Sequence, residues 1–65
     1  MDNNEGAIED YSKTIELNPE HAIAYCNRGI NKYVSGDKAG ACEDWNKAGR
    51  LGYTQAFDFV KKHCK

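Results

Sequence analysis

Slid against itself by 34 residues, the chain meets its own pattern again. Gly6 falls on Gly40, Ala7 on Ala41, Glu9 on Glu43, Asp10 on Asp44, Lys13 on Lys47, Leu17 on Leu51 and Ala22 on Ala56. Tyr11 aligns with Trp45, Thr14 with Ala48 and Ile23 with Phe57, pairs similar in size or character. Seven identities inside a window of 17 residues are far more than composition would supply. A fixed period of this length marks a solenoid built from one repeated supersecondary unit.

Within each unit the period is helical. Ala7, Ile8, Tyr11, Thr14 and Ile15 recur at spacings of three and four, which predicts a helix over residues 5–17. Asn18-Pro19 breaks it, and Pro19 is expected to open a second helix over 20–35, where its missing N–H costs nothing. That helix carries Ala22, Ile23, Tyr25, Cys26, Gly29, Ile30, Tyr33 and Val34, an apolar surface wide enough to need cover on more than one side. Gly36 suits the left-handed position that ends it, and Asp37 the N-cap of a third helix over 38–51. This one presents Ala41, Cys42, Trp45, Ala48 and Leu51 and stops at Gly52. Thr54 is then expected to cap a fourth helix over 54–64, with Phe57, Val60 and Cys64 on one face and Phe59 beside it. Connections this short force antiparallel neighbours, so the prediction is an all-α stack of about four antiparallel helices.

Composition narrows the function classes. In 65 residues there is room for one small domain, burying only about 60% of the surface its unfolded chain exposes. Hydrophobic residues are 40% and charged residues 29%, ordinary for a folded domain, and a net charge of -1 points to neither nucleic acid nor an anionic membrane. No apolar run reaches the roughly 18 residues of a membrane span, and the opening MDNNEGAIED does not resemble a signal peptide. The compartment leaves no trace in these residues. Charge is uneven, with Asp2, Glu5, Glu9, Asp10, Glu16 and Glu20 near the start, and Arg50, Lys61, Lys62 and Lys65 near the end. This reads either as helix-dipole complementation and solubility or as a polar axis along which copies stack.

Cys26, Cys42 and Cys64 form no C-x-x-C pair, which argues against a zinc or thioredoxin-like site. Cys42 lies ten residues before Gly52 and Cys64 twelve after, so folding the third and fourth helices back brings both thiols to a similar height. Two readings stay open: a disulfide, or two buried thiols packing as small hydrophobes. Cys26 is the odd one out in either case. His63 and Cys64 are adjacent and so point about 100° apart on a helix, which makes neither a metal pair nor a catalytic one. With no acid–base pair, nucleophile or phosphate loop in view, no enzyme activity and no cofactor are expected.

The residues also carry a family resemblance. Ala7-x3-Tyr11 followed by Pro19, and Ala41-x3-Trp45, resemble one half of the tetratricopeptide-repeat (TPR) signature. Tyr25-x2-Arg28-Gly29 resembles the opening half, and Gly36-Asp37 the turn between the two helices of a repeat. Arg28 and Lys32 depart from the pattern where the family has Leu and Tyr, and Tyr53 stands in place of its second proline. The resemblance implies a TPR-like α-α superhelix and a C-terminal fragment of an array. Residues 1–19 would be the second half of a repeat, 20–52 one full repeat and 53–65 a capping helix.

By the same resemblance, ligands lie in a concave groove formed by the first helix of each unit, here presenting Ile23, Cys26, Asn27, Ile30 and Tyr33, with Lys61 beyond. Asn27 and Lys61 match positions where co-chaperone TPR domains hold a carboxylate between an amide and a cation. Phe57 stands where that clamp needs a second cation, and Ile23, Cys26 and Ile30 make the groove apolar, so an apolar or mixed peptide fits better than an acidic tail. The implied function is a non-catalytic scaffold that binds a protein or peptide. The alternative is a capping or self-association module, a homodimer in which one copy covers the open face of helix 5–17 of another.

Overall fold

The computed structural model describes residues 3–64. Four helices follow one another among them: α1 (Asn4–Leu17), α2 (Ala22–Val34), α3 (Lys38–Arg50) and α4 (Ala56–His63). Each packs chiefly on the next, α1 on α2, α2 on α3 and α3 on α4, within 27 × 25 × 16 Å. The expected all-α architecture is present, with shifted boundaries.

Pro19 does not open α2. It sits in a turn closed by the His21 N–H donating to the Asn18 carbonyl at 3.1 Å, and Asn18 Oδ1 accepts the Glu20 N–H at 3.3 Å. The helix begins at Ala22, with His21 as N-cap: its Nδ1 accepts the Ala24 N–H at 3.2 Å. A ring nitrogen can do what a Ser or Asp oxygen does here, which the usual N-cap preferences do not reveal. Thr54 is not a cap either. Residues 53–58 enter α4 through three successive i→i+3 bonds, Ala56 to Tyr53, Phe57 to Thr54 and Asp58 to Gln55, and Gln55 at the N-cap makes no side-chain cap bond. The tight approach is a 3₁₀-type entry.

The other two ends follow the expected chemistry. At the end of α2 the Gly36 N–H bonds the Tyr33 carbonyl and the Asp37 N–H the Lys32 carbonyl; at the end of α3, Gly52 and Tyr53 do the same to Gly49 and Ala48. Both are Schellman closures, and they need the positive φ that Gly36 (97°) and Gly52 (114°) supply. Asp37 then caps α3, its Oδ1 accepting the Gly40 N–H at 3.0 Å.

The core lies between α2, α3 and α4. Cys26, Ala41, Trp45, Ala48 and Ala56 are its buried members, and Tyr25, Tyr33, Tyr53, Phe59, Val60 and Cys64 pack around them. Trp45 is the pivot: 1% exposed, it donates from Nε1 to the Cys26 carbonyl at 3.2 Å, so its one polar atom is satisfied. Gly29 is what lets α2 come so close, because a Cβ there would lie 2.7 Å from Trp45 Nε1. The ring stacked on Trp45 is Phe59 at 5.1 Å, whereas Phe57 lies over Gly49 and stays 37% exposed. The sequence periodicity puts Phe57 inside and Phe59 at the side; the late start of α4 reverses that order. Helix α1 contributes no buried residue, and Tyr11, the repeat equivalent of Trp45, is only half-buried.

Candidate functional site

The surface expected to bind a partner starts on α2. Ile23, Asn27 and Ile30 are spaced at i, i+4 and i+7, so a helix sets them in one stripe. Ile23 is 51% and Ile30 38% exposed, and Asn27 between them is half-buried. The Asn27 carbonyl accepts a bond from Asn31 Nδ2 at 3.0 Å. Among the described residues, the Asn27 side-chain amide makes no hydrogen bond.

Two of the expected groove residues are placed otherwise. Cys26 is not on the stripe: it is 2% exposed and belongs to the core beneath Trp45, because the wide apolar surface of α2 turns this side toward α3. Burial pushes its thiol above its ordinary value of 9.0. Tyr33 is half-buried, its ring 5.7 Å from that of Trp45 and 4.7 Å from that of His63, with Lys38 Nζ 5.7 Å over its face. Its ring is therefore engaged in packing at the end of α2. Lys61 is exposed on α4 and forms no ion pair among the described residues.

At its other end the stripe runs into a shallow depression of about 370 Å³, formed by His21, Ala22 and Ile23 with Leu51, Gly52 and Tyr53. These residues come from the start of α2 and from the α3–α4 turn. Nothing in the linear sequence places the two turns together, and only the stacking of α2 against α3 does so.

Helical spacing gives no sign of a polar cluster that ties α1, α2 and α3 together. Asp44, 4% exposed in α3, takes two bonds from Arg28 of α2: Nε to Oδ2 and Nη2 to Oδ1, both 2.8 Å. Arg28 Nη1 donates to Ser12 Oγ of α1 at 3.1 Å, and Lys32 Nζ stands 3.4 Å from Asp44 Oδ2. The bond to Asp44 raises the Arg28 pKa further, so the guanidinium stays charged. Arg28 thus reaches all three of the first helices. The signal available in sequence was the presence of Arg28 and Asp44 beside Gly29 and Trp45, on faces otherwise apolar.

Cys42 and Cys64 are joined, their Cα atoms 6.0 Å apart, which ties α3 to the end of α4. Among the described residues no group of three or more His, Cys, Asp and Glu side chains is placed to hold a metal ion, and no helix is long and apolar enough to cross a membrane.

Helices stacked each on the next, around a core shared by α2, α3 and α4, make this a helical-repeat protein. A family model described as TPR repeat matches residues 2–36, more than half of the chain, and the chain belongs to the tetratricopeptide-repeat family. It is also similar to tetratricopeptide repeat protein 36 of Bos taurus, 40% identical over 60 residues, an alignment covering 86% of this chain and 32% of that protein. The chain therefore spans about a third of the length of this curated relative. No solved structure matches. Repeats of this family generally mediate protein–protein interaction, and proteins built from them are generally non-enzymatic scaffolds.

Proposed function

We propose that the chain binds a partner peptide along the stripe of α2 formed by Ile23, Asn27 and Ile30, with Lys61 at its far margin. The observation that carries this reading is that Ile23 and Ile30 stand 51% and 38% exposed on one face of a helix whose other face is core. Apolar side chains left open in a row, with one unengaged amide between them, suit an extended or helical segment with small apolar side chains. In this reading residues 1–19 close one repeat, 20–52 form the next and 53–65 cap it, and the partner is a protein or peptide.

A second reading has one observation in its favour. Helix α1 buries none of its residues and leaves Leu17 87% exposed, so a second copy could cover it and make capping or self-association the role.

Peptide selection against the 65-residue chain, followed by titration of the selected peptide, separates the two. Binding should weaken at least about tenfold in Ile23→Asp and Ile30→Asp, while Leu17→Asp should leave it unchanged, since one lost apolar anchor is worth about 1.4 kcal/mol or more. Binding insensitive to both isoleucines would sink the groove reading. A dimer by light scattering that persists in reductant and dissociates in Leu17→Asp would replace it with the second.

A further inference from the structure

We infer that the Cys42–Cys64 bridge is a redox strap: it holds α4 over the Trp45 cluster, and its reduction by a dithiol frees α4 while α1–α3 stay folded. The proposal is independent of what binds the α2 stripe.

Helix α4 packs on the core through Ala56, Phe59 and Val60, and the bridge is the one covalent tie that holds it there. It has eight residues, of which only Ala56 is buried, and its N-cap residue Gln55 supplies no side-chain bond. A helix so short does not persist in water by itself. It is entered through the turn at Gly52, the one residue of the connection with no Cβ to restrict its backbone. What α4 does cover is specific. Phe59 stacks on Trp45 at 5.1 Å, and the His63 ring sits 5.7 Å from Trp45 and 4.7 Å from Tyr33. The strap runs from Cys42, in the second turn of α3, to Cys64 just beyond α4, a separation of 22 residues. It therefore withholds the chain entropy that α4 would gain by detaching.

Both halves of the bond are half-buried rather than sealed, so an incoming thiolate can reach it. Cys26 does not compete, being 2% exposed in the core. In the exchange, one thiolate of the dithiol attacks a bridge sulfur and forms a mixed disulfide, releasing the other cysteine sulfur, which takes up a proton. The second thiol of the reagent closes on the first. The dithiol leaves as its own disulfide, and its two electrons and two protons remain on Cys42 and Cys64 as thiols. The rest of the molecule has fastenings of its own: the Gly29–Trp45 contact between α2 and α3, and the Arg28 bonds to Asp44 and Ser12. Freed of Phe59 and His63, the faces of Trp45 and Tyr33 that α4 covers open to solvent as a second apolar surface.

Trp45 is the one tryptophan, so its fluorescence reports on the lid directly. The 65-residue chain is titrated with dithiothreitol while free thiols, acrylamide quenching and far-ultraviolet circular dichroism are followed. Counted in denaturant after the reagent is removed, the protein's thiols should rise from one to three as the bridge opens. Quenching should rise severalfold in parallel and the emission should move to longer wavelength, while most of the helical signal remains. Cys42→Ser/Cys64→Ser should show the open behaviour without reagent, and Cys26→Ala should respond to the reagent as the parent does. Three titratable thiols before any reductant, an unchanged quenching constant at full reduction, or loss of the whole helical signal would each overturn the proposal. The reagent titration of the parent decides the matter even where a variant fails to fold.

Discussion

Asp44 sits almost out of water between two cations, and breaking that arrangement costs more than the intact arrangement contributes. An ion pair inside a protein gains little net stability because both charges lose hydration, but removing one partner strands the other. Arg28 and Lys32 retain side-chain exposures of 17% and 22%, so the stranded cations can recover some solvent. Asp44→Ala should therefore cost about 2 kcal/mol rather than the 3–5 of a sealed pair, read as a lowered urea midpoint with an unchanged slope. Cys26 gives the residue-scale prediction for pH. Burial raises its pKa in the folded state, so the folded protein holds this proton more tightly than the unfolded chain. Its contribution to stability is whole below the ordinary value of 9.0 and is lost as pH climbs past it toward the folded value. The urea midpoint should fall above that pH, and Cys26→Ala should flatten the fall; an identical decline in both would assign it to other groups. Arg28 shows why this scale is hard to read in advance. It departs from the repeat pattern where the family has Leu, and it is the residue that joins α1, α2 and α3.

Among the elements, the ends were legible where backbone chemistry decides them. Gly36 and Gly52 close α2 and α3 because few residues but glycine take a positive φ without strain, and that requirement is local. Asp37 was equally plain as the cap of α3. Asp37→Ala should cost about 1 kcal/mol, detectable as a lowered thermal midpoint, with the frayed first turn of α3 visible in hydrogen exchange at Gly40. Its failure to lower the midpoint would mean that packing on α2 alone sets where α3 begins. The starts of α2 and α4 lie later than helical spacing predicts, at Ala22 and Ala56, for a reason that is also physical. Pro19 is tolerated equally in a first helical turn and in the turn before it, and what chooses is the Asn18–His21 bond, a local competition between two good geometries. At α4 the connection tightens into i→i+3 bonds, which delays the helix and turns Phe59 rather than Phe57 onto Trp45.

For the molecule as a whole, stability runs through Trp45. A chain of 65 residues at roughly 0.05–0.15 kcal/mol per residue holds about 3–10 kcal/mol in total. Replacing a fully buried tryptophan by alanine removes about 3–5 kcal/mol, a large share of that, and here it also strips Phe59, His63 and Gly29 of their common partner. Trp45→Ala should lose the cooperative thermal transition or shift it down by tens of degrees; a change of only a few degrees would show that the core can close around the gap. The 34-residue repeat by itself determined the architecture, because identical patterns at a fixed interval must fold alike and can bury their faces only on one another. Local backbone rules separately marked Gly36 and Gly52 as helix ends, and the family resemblance implied a groove of Ile23, Cys26, Asn27, Ile30 and Tyr33, of which helical spacing keeps Ile23, Asn27 and Ile30 on one face. What only the tertiary structure decided is how far round α2 the core reaches. That distance depends on the closeness of α2 and α3 at Gly29, and it sinks Cys26 and half of Tyr33 while leaving the isoleucines in water. It decided as well that Arg28 meets Asp44 and that the Leu51–Tyr53 turn lies beside Ile23, since contacts between residues 16 or more positions apart depend on helix orientation and not on periodicity.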